Sequence, residues 1–196
     1  MSAIGETAED IILGKARSHF KWQDKPVDET LLRDVYDLAK MGATSANCSP
    51  ARFVFVVTDE GRERLRPFLI PSNVEKTMTA PVTAIIAYDM TFYDKIPELF
   101  PHEPSAREWF TGSEEITLAN AVRNGTLQAA YLMLAARAKG LDCGPMSGYD
   151  AAGLDTEFWP DGRCRSNFLC NLGYGDASAL HPRLPRLDFE AACSII

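Results

Sequence analysis

The side chains able to do chemistry in this 196-residue chain fall in short, separated stretches. The densest is residues 41–57, Met-Gly-Ala-Thr-Ser-Ala-Asn-Cys-Ser-Pro-Ala-Arg-Phe-Val-Phe-Val-Val. It runs from the end of an amphipathic helical pattern into an apolar, β-branched run. Thr44, Ser45, Asn47 and Ser49 offer hydroxyl and amide groups, while Gly42, Ala43 and Ala46 leave the backbone approachable. A loop between a helix and a buried strand is a usual place to display binding groups. None of these residues is a strong acid, base or metal ligand. Cys48 could act as a nucleophile, but no histidine stands near it in sequence, and a small buried thiol is the plainer role. The loop has the chemistry of a holder for something that brings its own reactivity.

Four other stretches carry polar groups at the ends of elements: Arg17-Ser18, Asn73 with Lys76 one helical turn later, Pro145-Met146-Ser147-Gly148, and Arg183 beside His181. Taken singly, each reads as a solvated charge, a cap or a tight connection. No Gly-x-Gly-x-x-Gly, Walker loop or Gly-x-Ser-x-Gly elbow is present, so the usual nucleotide and hydrolase devices lack their mechanical parts. The five cysteines are scattered without Cys-x-x-Cys spacing, and His19, His102 and His181 are isolated. No metal site is expected from such a set, and reduced thiols in a cytoplasmic protein are. A net charge of −7 argues against nucleic acid or an anionic membrane as partner. The N-terminus lacks an apolar signal core, and the most apolar helical run, residues 129–138, is interrupted by Arg137, which predicts no membrane span.

The elements that must position these groups are legible in outline. Thr7 is placed to cap a helix carrying Ile11, Ile12 and Leu13 toward Trp22. Asp28 caps a helix over 29–40, and Gly42 stops it. A strand follows over 52–58, then a short charged helix from Asp59 that Pro67 disturbs. A second short helix over 73–79 leads to residues 81–88, whose nearly continuous apolar run predicts a strand buried on both faces. Residues 90–112, rich in Pro, Phe and Tyr, predict an irregular excursion, either a lid or a dimer arm. Ser113 opens the longest helix, to Lys139, with Ile116, Ala119, Val122, Leu127, Ala130, Leu134 and Ala138 at helical spacing. Residues 144–148 read as a turn, 151–158 as a short helix and 168–173 as a third strand. There is no repeat or linker, so residues 1–196 form a single α+β domain.

In their order along the chain these stretches resemble the FMN-dependent nitroreductase family. The resemblance rests on Arg17-Ser18, on Ser45-x-Asn47-x-x-Pro50 before a strand, and on Asn73-x-x-Lys76 before the next. It continues in a long alanine-rich helix ending Gly140-Leu141-Asp142, in Pro145-x-x-Gly148-Tyr149-Asp150 and in Arg183-Leu184-Pro185. Residues 44–52, 144–148 and 172–176 are nearer still to the malonic semialdehyde reductases of bacterial pyrimidine degradation. The family resemblance implies a three-layer sandwich, a small mixed sheet covered by helices, in an intertwined homodimer. It implies FMN as cofactor, NADH or NADPH as electron donor, and ping-pong hydride transfer through flavin N5.

By the same resemblance, Arg17 and Arg183 hold the FMN phosphate, with Ser18 and His181 assisting; a forked guanidinium suits a phosphate. Ser45 and Asn47 contact the isoalloxazine across the dimer interface, and Asn73 meets its amide edge. Lys76 lies near N1 and O2, where a fixed cation stabilises the charge left by two-electron reduction. Pro145, Met146, Ser147 and Gly148 aim a backbone N–H at N5, which gives Lys76 and Gly148 the catalytic roles. The implied acceptor is malonic semialdehyde, reduced to 3-hydroxypropionate; the alternatives are a general nitro or quinone reductase and a flavin-binding protein without turnover. Apart from the resemblance, an arginine facing the pocket could orient a carboxylate substrate, and Arg52 and Arg123 are the two candidates for it. This chain departs from many relatives in holding Ala16 and Phe20 at basic positions, Ser49-Pro50-Ala51 for Gln-Pro-Trp, and Ser147 for a glutamate. Those departures predict an altered pocket above the flavin.

Overall fold

Side-chain caps decide where the two longest helices begin. The Asp28 carboxylate accepts from the Thr30 N–H at the start of α2 (Glu29–Ala39), and the Ser113 hydroxyl accepts from the Ile116 N–H at the start of α6 (Glu114–Ala138). Each satisfies one of the orphan donors of a first helical turn. The computed structural model describes residues 5–196. Between these helices lie β1 (Ala51–Val56), α3 (Asp59–Leu65), α4 (Pro71–Met78), β2 (Val82–Asp89) and α5 (Ile96–Leu99). After α6 come β3 (Asp142–Met146), α7 (Ala151–Phe158), β4 (Cys164–Gly173) and α8 (Phe189–Ala192).

The four strands form one sheet in the order β1-β2-β4-β3. All three pairings are antiparallel, so the expectation of a mixed sheet is corrected for these strands. A parallel element enters only as an isolated bridge between Ser18 and Cys143 at the outer edge of β3. As expected, β2 is buried on both faces. Val82, Ala84 and Ile86 pack toward Leu32, Val35 and Leu132 of α2 and α6. Ile85 packs the opposite way, with Leu65 and Leu154. The result is three layers, helix, sheet and helix.

Four further expectations from the sequence are revised. The first helix, α1 (Glu6–Glu9), continues as a single π turn and ends at Gly14, not near Trp22, and Thr7 lies inside it. Beyond it the backbone finds partners on the sheet instead: His19 N–H donates to Cys143 O (2.9 Å) and Gln23 N–H to Tyr174 O (2.8 Å), which removes the need for helical partners. Second, Gly144, Pro145 and Met146 belong to β3 rather than to a turn. Pro145 is tolerated because β3 is an edge strand. Gly144 is needed because a Cβ there would lie 2.3 Å from His19 O.

Third, α6 buries Ala121, Asn124, Gln128, Ala129, Leu132, Ala135 and Ala136. The apolar set read from the sequence is largely on the other side, with Ile116, Val122 and Leu127 about 40% exposed (43%, 37% and 41%). The helix is apolar on both sides, so periodicity alone could not say which side faces the sheet. Residues 90–112 are not irregular: short helical turns around α5 close a third small core of Phe92, Ile96, Ala106 and Phe110.

Candidate functional site

The sequence-selected residues gather in three places. The first is α4 and the end of β3. Pro71 begins α4 with its fixed φ, which is favourable at a first helical position. Asn73, almost fully buried, donates its amide to Gly148 O at 2.8 Å. Gly148 O also accepts from the Ile70 N–H (3.2 Å), and Leu69 bridges to Tyr149. A Cβ at Gly148 would lie 2.4 Å from Ile70 Cδ1 and 2.8 Å from Asn73 Nδ2, so any side chain here would push Ile70 and the hydrogen-bonded Asn73 amide aside. Among the described residues the Gly148 N–H has no acceptor. One turn after Asn73, Lys76 is half-buried, and its ammonium meets no carboxylate or other acceptor among the described residues. It borders a cleft of about 320 Å³ with Phe20, Trp22 and Ser72. Pro145 and Ser147 are exposed, and Met146 is buried, with its sulfur 3.5 Å from the Thr77 hydroxyl.

The second place joins the two ends of the chain. Arg17 donates to His181 O (2.5 Å) and Arg183 donates to Ala16 O (2.9 Å), so each guanidinium is tied to the backbone beside the other. The His181 ring stacks on Phe20 at 5.3 Å. Ser18 is exposed, on the bridge to β3. Two guanidinia side by side, neither paired with a carboxylate among the described residues, form a donor set suited to a phosphate.

The third place is the loop before β1. Ala46, Asn47 and Ser49 all have left-handed backbones (φ 47°, 50° and 40°), a conformation costing roughly 1 kcal/mol or more per non-glycine residue. The surroundings hold it. Ser45 N–H donates to Asn124 Oδ1 (2.9 Å) and Ala51 N–H to Gln128 Oε1 (2.8 Å), both on α6. Asn47 donates to Leu99 O (2.9 Å), and Cys48 is buried in the third core. Arg52 donates to Ser49 O (3.1 Å) and pairs with Asp89 at 2.6 Å. Asp89 is fully buried and also receives both Arg163 nitrogens (3.0 and 2.8 Å) and the Thr91 N–H and hydroxyl. Burial would raise the Asp89 pKa, but the Arg163 and Thr91 hydrogen bonds and the Arg52 charge outweigh it and hold the group below its ordinary value.

Arg52 is therefore committed to Asp89 and the loop backbone rather than to a substrate. Burial pushes the Cys48 thiol up to about 11, which leaves it protonated and weakly nucleophilic at neutral pH. Ser45 and Asn47 are exposed, and their hydrogen bonds run to α6 and α5, not to Asn73, Lys76 or Gly148. The structure thus brings Asn73 to Gly148 and Arg17 to His181 within one chain, and leaves the 44–49 loop apart. Sequence reading missed the supports: Asn124 and Gln128 under the loop, Asp89 behind Arg52, and Asn171 and Trp22 on the Lys76 carbonyl. For Asn124, Gln128, Asp89 and Asn171 the only signal was a polar side chain inside a helix or strand, and Trp22 gave none. A hollow of about 620 Å³ lies between α2 and β1 and is lined by none of the candidate residues.

No group of three or more His, Cys, Asp or Glu side chains among the described residues is placed to hold a metal. No helix among them is long and apolar enough to cross a membrane.

A profile of the nitroreductase family matches residues 14–174. A Cupriavidus pinatubonensis protein provisionally named NADH dehydrogenase/NAD(P)H nitroreductase is 55% identical over 188 residues, covering 95% of this chain and 96% of that one. Among solved structures, a provisionally assigned nitroreductase of Exiguobacterium sibiricum in complex with FMN superposes with a TM-score of 0.87 at 19% identity, over 100% of this chain and 99% of its own. A similarly assigned nitroreductase of Bacillus subtilis gives 0.86 at 18% identity, over 98% and 100%. At these identities the structural likeness is one of fold.

Proposed function

The chain belongs to the nitroreductase family, and from that premise we propose that it holds FMN and acts as an NAD(P)H oxidoreductase on small electrophiles. The observation that carries this reading is that Lys76, a partly buried residue whose ammonium has no carboxylate partner among the described residues, borders a cleft one turn from Asn73, which is itself bonded to Gly148. A cation that opens on a cleft without a paired carboxylate is free to meet the negative charge of a bound group. The FMN complex of the Exiguobacterium relative and the name of the Cupriavidus relative support the choice of cofactor and donor.

Bound FMN would supply the redox chemistry, taking a hydride from the nicotinamide and passing it to the acceptor. The chain's own residues bind, orient and stabilise. Arg17 and Arg183, with Ser18 and His181 beside them, would hold the phosphate. Asn73 would meet the amide edge of the ring, Lys76 would offset the negative charge that reduction leaves on the pyrimidine edge, and the Gly148 N–H, without an acceptor among the described residues, would be the donor available to N5. No residue in this set is a strong acid or base, so the protein contributes position and electrostatics.

The site is completed by a second copy of the chain. The exposed Ser45 and Asn47 then reach the ring of the partner's site. The exposed apolar side of α6, the free edge of β1 and the exposed tail residues Leu184, Leu187, Phe189 and Ile195 support an intertwined homodimer, since apolar surface of that extent favours burial. For the acceptor we propose malonic semialdehyde, on the strength of residues 44–52 and 144–148. With Arg52 engaged by Asp89, the exposed Arg123 is the remaining candidate to meet its carboxylate. The test is to reduce the FMN-loaded protein with NADH or NADPH and then offer malonic semialdehyde, a quinone and a nitroarene in turn. Rapid reoxidation by the aldehyde supports the specific acceptor. Reoxidation by only the quinone or nitroarene overturns that assignment and leaves the oxidoreductase.

A further inference from the structure

Lys76 sits in the last turn of α4, where backbone carbonyls run out of helical partners. Around it, Thr79 N–H turns back to Glu75 O and Ala80 N–H to Thr77 O, so Lys76 O receives no backbone donor among the described residues. Two side chains from outside the helix take that role. Asn171 of β4 donates its amide at 2.9 Å, and Trp22 donates its indole N–H at 3.0 Å. Asn171 has no exposed surface and lies in the sheet interior, directly opposite Thr83 of β2. The Thr83 hydroxyl donates to Asn171 Oδ1 at 2.8 Å. That bond fixes which end of the amide faces which way, and so keeps the NH2 group on the Lys76 carbonyl. A strand interior is filled most simply by an apolar side chain, and a buried amide costs about 1–3 kcal/mol if left unpaired. Its presence here has a partner, and the partner is the backbone of the candidate cation.

We propose that Asn171, held by Thr83, is a positioning residue that fixes the backbone of Lys76 and thereby the place of its ammonium over the pyrimidine edge of bound FMN. This rests on the FMN reading above. Asn73 ties the front of α4 to Gly148, and Asn171 with Trp22 ties its rear, so the helix is held at both ends and the Lys76 backbone and the Gly148 N–H keep a fixed separation. A cation that is held still stabilises reduced flavin more than one that wanders, because no reorganisation is needed when the charge appears. The effect of Asn171 must therefore fall on the reduced cofactor and act through Lys76.

The experiment compares wild type, Asn171→Leu, Lys76→Met and the double variant. Each is titrated with FMN by fluorescence quenching, and the midpoint potential of the bound flavin is then measured anaerobically against a dye. Asn171→Leu is expected to keep oxidised-FMN affinity within about threefold, because the phosphate arginines are untouched. Its preference for reduced over oxidised FMN should drop about tenfold, which for a two-electron couple is roughly 30 mV. In the Lys76→Met background, Asn171→Leu should add nothing, as expected for residues acting through one group. An unchanged potential in Asn171→Leu, or an equal drop in both backgrounds, overturns the proposal. If Asn171→Leu does not fold, Thr83→Val, which removes only the hydroxyl orienting the amide, is read the same way, with a smaller drop expected and none overturning the proposal. Failure of wild type to take up FMN would instead remove the cofactor reading itself, a separate outcome.

Discussion

Replacing Asp89 by asparagine tests whether one buried carboxylate holds the 44–49 loop in its left-handed conformation. The side chain accepts five hydrogen bonds, one from Arg52, two from Arg163 and two from Thr91. Breaking a buried ion pair from one side costs about 3–5 kcal/mol. Arg52 and Arg163 keep 35% and 44% of their side-chain surface exposed and can rehydrate, which places the loss near 3 kcal/mol at neutral pH. For a domain of this size that is a fall in Tm of roughly 6–12 °C. Because the folded Asp89 pKa is depressed, its contribution is complete above the ordinary carboxylate pKa of about 4 and is lost as pH falls through the lower folded value. The Tm gap between wild type and Asp89→Asn should therefore stay constant from about pH 8 to pH 5 and close only in stronger acid. Scanning calorimetry across that range measures it. A gap under about 2 °C at neutral pH, or one that closes well above pH 5, would refute the reasoning.

Arg183→Ala removes one of two guanidinia from the proposed phosphate site. Hydrogen bonds to charged groups are worth about 1.5–3 kcal/mol, so FMN affinity by fluorescence titration should weaken at least tenfold, with little change in Tm. Cys48, raised to about 11 by burial, should resist a thiol-alkylating reagent at neutral pH in the native protein. Cys48→Ala should keep FMN and turnover; loss of turnover with flavin retained would make the thiol part of the reaction. Leu127→Glu places a charge on the exposed apolar side of α6 and should yield a monomer by light scattering that binds FMN poorly. A dimer that still binds FMN normally would place the interface elsewhere.

The ends of α2 and α6 and the double burial of β2 were legible because caps and an unbroken apolar run are local signals. Asp28, Ser113 and residues 82–89 each carry their own physical reason. The third strand in chain order was hidden because Gly144 and Pro145 look like a turn, and only the neighbouring His19 backbone explains the glycine. The first helix was overextended because nothing local says that residues 18–23 pair with the sheet edge. On α6 the apolar pattern was real, but it marked the side facing away from this chain's sheet. In the candidate site, the order of Arg17, Asn73, Lys76, Gly148 and Arg183 carried the family resemblance. The residues that fix them did not stand out. Asn171 in a strand, Asn124 and Gln128 in a helix and Asp89 at a strand end gain meaning only from contacts 37 to 95 residues away in sequence.

The most direct measurement is the anaerobic visible spectrum of the FMN-loaded protein during stepwise addition of NADH and, separately, NADPH. The account predicts a protein-bound flavin band that bleaches in proportion to the nicotinamide added, and far more slowly in Lys76→Met. A protein that takes up no FMN, or whose bound flavin stays oxidised with both donors, would contradict it.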